Sequence, residues 1–388
     1  MRPLQSKDTY HVGVLSIHPA PYRDTTFFSI YNRGKVNINV ITLFNLDIGH
    51  SFWNLDKISY PNMLLTKYWG FPNKPCFHPQ VFQLLKKHRY DVIIIPGYYH
   101  LTCWYAVIYC LLTSTPFILT LDTILNDNRD LVGSIRKVLV TRVLHRLLHT
   151  ASAFWVPGKA SRQYLCAQRI ESNFIFEGCY NLDYTSISSQ LLLQKDKGLR
   201  WREALRIDED GFVFLMVANV TPNRRHDLLI ESFSRVAAVY PNSYLLLAGQ
   251  GTGNKTLMDL CNERMITNVI PIGPVAFGEL PALFNMADVY VHSGCEPYST
   301  AVAYAAIAGL PVVTTPRVGA GQDYVIEHET GFLVDSIDVT GFSDRMLLLA
   351  QDKETTKHFG QSIRKLACRF SSKWAANQFE SAVETALK

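Results

Sequence analysis

The stretch from Asp91 to Asp122, DVIIIPGYYHLTCWYAVIYCLLTSTPFILTLD, constrains the fold most, because no Lys, Arg, Asp or Glu interrupts it between its two ends. A transmembrane helix needs about 20 mostly apolar residues, and a run of this length would supply them. Pro96-Gly97 and Pro116 cut it into other lengths: a short apolar run at 92–95, a helix-length piece at about 101–113, and a second short run at 117–121. The pieces read as a buried strand, helix and strand, the β-α-β unit of a sheet covered on both faces.

The same alternation extends in both directions. YHVGVLSIHP, VNINVITLF, DVIIIPG and ASAFWVPG are strand-like, and RDTTFFSIYNRG, PQVFQLLKKHR and ASRQYLCAQRI are helix-like segments between them, with NFIFEGCYNLDY a short strand leaving the set. Residues 188–208, SSQLLLQKDKGLRWREALRID, are charged and helix-prone and read as a connector. The pattern then restarts with GFVFLMVAN, a helix with apolar residues at 228, 229, 233, 236 and 237, and SYLLLAGQG, and continues through DVYVHSG and PVVTT. Strands alternating with helices specify a parallel, doubly wound sheet. A chain of 388 residues exceeds one ordinary domain. The expected fold class is therefore α/β, with two doubly wound, Rossmann-like domains facing a cleft. Residues 1–187 form the first, 188–208 the connector and 209–365 the second, while 366–388 form a C-terminal helix returning to the first. Ligands of such sheets gather at the carboxyl ends of the strands.

Composition excludes several classes. Hydrophobic content of 48% with 18% charged residues argues against disorder. The net charge, 38 − 33 = +5, permits an anionic substrate or membrane surface without demanding one. No zinc-finger spacing, basic-zipper pattern or RNP signature points to nucleic acid. The eight cysteines form no CxxC pair and sit mostly in apolar contexts, as reduced core thiols of a cytosolic protein do. The start, MRPLQSKDTYHVGVLSI, lacks the shape of a signal peptide. Asp208-Glu209-Asp210 has a D-x-D spacing used by some metal-dependent transferases, but it lies in a charged connector before a strand and reads as a solvated turn. No His/Cys cluster has zinc spacing, so no metal ligand and no cofactor are expected. No G-x-G-x-x-G opens either domain with an acidic residue about 20 positions on, which disfavours a nicotinamide oxidoreductase.

Three stretches of the second domain carry a family resemblance: VANVTPNRRHDLLIESFSRV (217–236), LLLAGQGTGNKTLMDL (245–260) with NVIPIGPVAFGELPALFNMADVYVHSG (268–294), and HSGCEPYSTAVAYAAIAGLPVVTT (292–315) continuing to RVGAGQDYVIEHETGFLVD (317–335). They resemble the retaining glycosyltransferases of family 4, which have the GT-B architecture. IHPAPYRDTTF and the 90–119 stretch are more loosely similar to the acceptor-side half of that family.

The resemblance implies roles that the residue types suit. A nucleotide diphosphate needs backbone N–H groups at a helix start and a cation across from it. Pro297, Tyr298, Ser299 and Thr300 open such a helix, and Arg224 stands where the family has a lysine, with Arg225 as a second candidate. The family's arginine five residues earlier aligns with Asn219, which carries no charge. Glu296 matches the first glutamate of an E-x7-E pair and would hold the donor sugar's hydroxyls. The second glutamate is replaced by Tyr304, whose hydroxyl would reach a ribose hydroxyl or whose ring would fill core space; both readings stand. Gly251, in the AGQG turn with Gly253, allows close backbone approach, and Gly273 opens the loop where the family packs its base. GAGQD (319–323) resembles a loop lining the sugar site.

In the first domain, His18, Tyr22 and Arg23 occupy the first strand-to-helix loop and are candidates for acceptor or phosphate contact. Asp122 stands where family members often have a histidine near the sugar, and His100 is a further cleft candidate against a plain structural histidine. The segment 130–150 is basic and amphipathic and suits either an anionic membrane surface or an ordinary helix packed on its sheet. The expected function is a cytoplasmic, metal-independent, retaining glycosyltransferase, with peripheral membrane contact as an option. It would move a sugar from a nucleotide-sugar donor to a glycan or lipid-linked acceptor in cell-surface polysaccharide or glycoconjugate synthesis. Glu296, Arg224 and Asp122 would be its catalytic residues. The substitutions at Asn219, Tyr304 and Asp122 also suit a non-catalytic relative serving as a binding or scaffold subunit of a glycan-assembly complex.

Overall fold

The computed structural model describes residues 9–44, 60–70, 75–125, 143–251, 259, 261–262, 266–335 and 337–388. Its strands form two separate parallel sheets. The first contains β1 (Tyr10–Ser16), β2 (Val36–Thr42), β3 (Asn62–Leu64), β4 (Val92–Pro96), β5 (Phe117–Thr120), β6 (Ala153–Val156) and β7 (Ile175–Glu177), in the order β3-β2-β1-β4-β5-β6-β7. The second contains β8 (Phe212–Val217), β9 (Ser243–Ala248), β10 (Val269–Gly273), β11 (Val289–His292), β12 (Val312–Thr314) and β13 (Gly331–Leu333), in the order β10-β9-β8-β11-β12-β13.

The uncharged 91–122 stretch folds as β4, the helix Leu101–Thr113 and β5, with Ile93 to Pro96 paired in parallel to Phe117 to Thr120. The two-residue period of a strand explains why it needs no charge. Val92 and Ile94 enter one core, with Val12, Val14, Ile38, Val40, Ile118 and Trp155. Ile93 and Ile95 enter another on the opposite face, with Val81, Leu85, Cys103, Ala106, Val107 and Cys110. Among the described residues no helix is long and apolar enough to cross a membrane.

The first unit comprises Met1–Asn181 together with Ser372–Lys388. Its last helix, Ser372–Ala386, buries Phe379, Ala382 and Val383 in the core beside Trp155, whose ring centroid is 5.0 Å from that of Phe379. Glu380 fixes that helix by ion pairs with Arg33 (2.9 Å) and Lys35 (3.4 Å).

The second unit is Leu182–Ser371. Residues 188–208 lie in it rather than between units. Most of them belong to the helices Tyr184–Leu193 and Lys195–Ala204, where the Leu191 carbonyl accepts from Asn285 Nδ2 (2.8 Å) and Lys197 pairs with Glu279. One face of the sheet buries Phe212, Phe214, Met216, Leu245, Leu247, Val289, Val291 and Val313 beneath the helices His226–Val239 and Val339–Gln351. Asp208–Asp210 is an exposed turn ahead of β8, where Asp210 accepts from Asn242 Nδ2 (2.9 Å). All eight cysteines are free, and five are buried. Of the basic segment read at 130–150, the part up to 142 lies outside the described residues, as does Gly253.

Candidate active site

In the second unit, β9 and β10 lie on one side of β8, and β11, β12 and β13 on the other. The connections from the carboxyl ends of β8 and β11 therefore lead to strands on opposite sides of that pair, and ligands of open parallel sheets bind at such a switch point. The loop after β8 carries Asn219 to Arg225, and the loop after β11 carries Ser293 to Ser299.

Gly294 lets the two loops touch. A Cβ at that position would lie 2.5 Å from Arg224 Cα and 2.7 Å from the Asn223 carbonyl. The Cys295 N–H donates to the Asn223 carbonyl (2.8 Å), and Asn223 Nδ2 (3.3 Å) and Arg224 Nη1 (3.2 Å) donate to the Cys295 carbonyl. Ser293 Oγ donates to the Arg225 carbonyl at 2.8 Å.

This contact delivers Arg224 Nη2 to 2.5 Å from Glu296 Oε2. His292, fully buried at the end of β11, brings Nε2 to 2.8 Å from Glu296 Oε1. The approach is bent away from an ideal hydrogen-bond line. Its Nδ1 accepts the Gly294 N–H at 3.1 Å, so Nε2 carries the proton facing the carboxylate. The backbone of Glu296 is pinned as well. Its N–H donates to the Arg317 carbonyl and its carbonyl accepts from Gly319 N–H, both at 3.0 Å. Gly319 has to be glycine, because a Cβ would stand 1.9 Å from the Pro297 carbonyl oxygen.

Burial alone would push the Glu296 carboxyl up. The His292 imidazole, the Arg224 guanidinium and the Ser299 hydroxyl together outweigh burial and hold it below its ordinary value. Ser299 also bonds the hydroxyl of Tyr290, a fully buried residue of β11. Ser299 has φ +128°, a conformation that strains a residue with a side chain, and it caps the nine-residue helix Thr300–Ala308. The first N–H groups of that helix have no carbonyl within the helix to bond. A carboxylate able to accept hydroxyls thus adjoins an anion-favouring helix start and a guanidinium. His226 lies behind them, its pKa lowered to about 4 by burial, His292 and Arg224.

The other donor-side candidates divide. Pro297 lies against Gly319, Tyr298 is buried and bonded to Tyr324, and Thr300 is half-buried in the first helical turn. Arg225 turns away: it has φ +51° and holds Asp227, with Nε 3.1 Å from Oδ1 and Nη2 3.1 Å from Oδ2. Asn219 is exposed at the end of β8. Gly251 abuts the polypeptide itself, since a Cβ there would lie 2.4 Å from the Val220 carbonyl. Gly273 adopts φ +76°, and its carbonyl accepts from Gly249 N–H at 2.8 Å. Tyr304 is only 3% exposed. Its ring stacks on Phe284 (4.5 Å between centroids, 27°), which stacks on Tyr290 (6.0 Å, 17°), and burial raises its hydroxyl.

In the first unit, Tyr22 and Arg23 lie in the first turn of the helix Pro21–Arg33, not in a loop. Arg23 Nη2 donates to the His18 carbonyl (2.6 Å), and its guanidinium stands 5.6 Å from the Tyr22 ring centroid. Asp122, just beyond β5, adjoins Tyr22, Cys179 and Tyr180. Burial first, and the Asp122 charge in addition, raise those three groups. His100 is buried: its Nδ1 accepts from Cys76 N–H (3.3 Å) and its ring lies 5.2 Å from Phe44. It joins an aromatic core with His78 and Tyr68 rather than the Asp122 group.

His292 and Tyr290 were not singled out in the sequence. VYVH reads as a plain buried strand, and the only signal is a histidine four residues before the glutamate.

Two doubly wound, Rossmann-like units define the GT-B fold of glycosyltransferases, and solved structures share it. Anabaena Alr3699/HepE, crystallised in complex with UDP and glucose, superposes with a TM-score of 0.71 at 16% identity, over 97% of this chain and 99% of that one. Residues 199–366 match the family described as glycosyl transferases group 1. N-acetyl-alpha-D-glucosaminyl L-malate synthase of Bacillus anthracis is 26% identical over 248 residues, 63% of this chain and 58% of that protein. D-inositol 3-phosphate glycosyltransferase of Corynebacterium efficiens is 30% identical over 185 residues, 46% and 43% of the two chains. The matches span about half the length of the curated relatives.

Proposed function

We propose that this protein is a glycosyltransferase that takes a sugar from a nucleotide-sugar donor and passes it, with retention of configuration, to a glycan or lipid-linked acceptor. The observation that carries the reading is the Glu296 carboxylate, held between Arg224 and His292 beside the start of the helix Thr300–Ala308. In this reading Glu296 accepts hydrogen bonds from the donor sugar's hydroxyls. The leaving diphosphate gains charge as the glycosidic bond breaks, and Arg224 and the N–H groups at 300–302 stabilise it. Those groups supply the positive charge that the departure needs, so the reading is metal-independent. Asp122 is a further catalytic candidate in this reading, and Arg23 a candidate for acceptor contact. Retaining chemistry, cytoplasmic location and a place in cell-surface polysaccharide or glycoconjugate synthesis extend the family resemblance.

The test is a panel of nucleotide sugars incubated with candidate acceptors and read by product mass. Transfer from one donor is expected. Glu296→Ala should abolish most of that transfer while nucleotide diphosphate binding persists. Full turnover by the alanine variant would remove Glu296 from the sugar site.

A further inference from the structure

The helix Leu101–Thr113 is apolar all round. Its inward side, Thr102, Cys103, Ala106, Val107 and Cys110, is buried. Its outward side meets water: Leu101 is 54% exposed, Ile108 51%, Leu111 52% and Leu112 83%. The three- and four-residue spacing lines these side chains along one side of the helix. The stripe continues sideways through rings in edge-to-face and tilted contact. Tyr105 lies 5.8 Å from Phe82 and 5.8 Å from Phe77, and Phe77 lies 5.9 Å from Trp69, which is 71% exposed. A contiguous apolar surface of this kind marks an interaction site.

The surrounding charge selects the partner. The helix Gln80–His88 runs alongside: the Tyr109 hydroxyl donates to the Leu85 carbonyl at 3.0 Å. Its last turn carries Lys86, Lys87 and His88, followed by Arg89, all exposed, and neither helix contains an acidic residue. Every charge on these two helices is thus a cation, at the rim of leucines and a tryptophan. That pairing suits a uniformly negative headgroup layer over hydrocarbon. We propose that this face docks the protein on an anionic phospholipid membrane, through residues other than the basic 130–150 segment. Lys86 and Lys87 would meet headgroups while Leu111, Leu112 and Ile108 enter the acyl boundary.

The test is co-sedimentation of the full chain with phosphatidylcholine vesicles, with and without phosphatidylglycerol. Binding to the anionic vesicles is expected, weakening as salt rises. Lys86→Gln with Lys87→Gln should lower partitioning about 25-fold, at about fivefold per lysine. Leu112→Asp should lower it at least about tenfold. These side chains are exposed, and matching thermal unfolding curves verify that the variants fold. A wild-type chain that stays in the supernatant, or variants that sediment equally well, would overturn the proposal. Self-association without vesicles that Leu112→Asp abolishes would overturn it too, assigning the face to a second copy. None of these readouts uses catalytic activity, so they stand or fall apart from the transferase reading.

Discussion

His292 Nε2 lies 2.8 Å from Glu296 Oε1, the carboxylate oxygen that Arg224 leaves to it. Because Gly294 N–H occupies Nδ1, the ring cannot turn away without losing a hydrogen bond. His292 is therefore a positioning residue for Glu296. His292→Ala should lower kcat by about 10²-fold, the usual cost of a misplaced catalytic group, and leave the affinity for nucleotide diphosphate unchanged. Steady-state kinetics beside calorimetric binding separates the two. Equal losses in both would mean that the histidine only supports the fold.

Acid should weaken this unit in two windows. The folded Glu296 carboxyl sits below its ordinary value. It therefore contributes stability above the unfolded carboxylate pKa of about 4.3, and loses it as pH falls through the folded pKa. His226 has an ordinary pKa of 6.5 and a folded one of about 4. Between those values the unfolded chain holds a proton that the folded chain lacks, so stability drops as pH falls through that range. Urea unfolding across the range should show the decline, and His226→Asn should flatten it.

Much of this could be read in the sequence. The proline cuts of the 91–122 stretch and the restart at 212 give both sheets, because a doubly covered strand must be apolar on both faces. Glu296 was legible through the family resemblance, as the match to the first glutamate of the E-x7-E pair. The environment of that carboxylate was not legible. His292 and Tyr290 look like ordinary members of a buried strand, and only the contact of two loops 70 residues apart brings Arg224 to Glu296. Arg225 stood as a second candidate beside Arg224, and the backbone turn at φ +51° aims it at Asp227. Residues 188–208 read as a connector because the charges of the helix Lys195–Ala204 dominate the stretch and mask its packing on the second unit.

Two glycines are expected to behave as structural keys. Gly294→Ala and Gly319→Ala would each drive a methyl into backbone, at 2.5 Å from Arg224 Cα and 1.9 Å from the Pro297 carbonyl. Each should cost about 1–3 kcal/mol and separate the loops that hold Glu296. Thermal unfolding should show a lowered Tm together with lost turnover.

Tyr304 should prove to be a packing residue. Tyr304→Phe keeps the ring on Phe284, so stability and donor affinity should stay nearly unchanged. Tyr304→Ala removes a buried aromatic and should cost about 3–5 kcal/mol. A loss of donor affinity in the phenylalanine variant would return the hydroxyl to the nucleotide site.

The central claim is that the second unit holds a nucleotide diphosphate through Arg224. Calorimetric titration of UDP, GDP and ADP into the wild-type protein and into Arg224→Gln and Arg225→Gln tests it most directly. One nucleotide should bind the wild type and Arg225→Gln alike, and bind Arg224→Gln at least about tenfold more weakly, the worth of a charge-assisted contact. Binding of none of the three to the wild type, or equal binding to Arg224→Gln, would contradict the account.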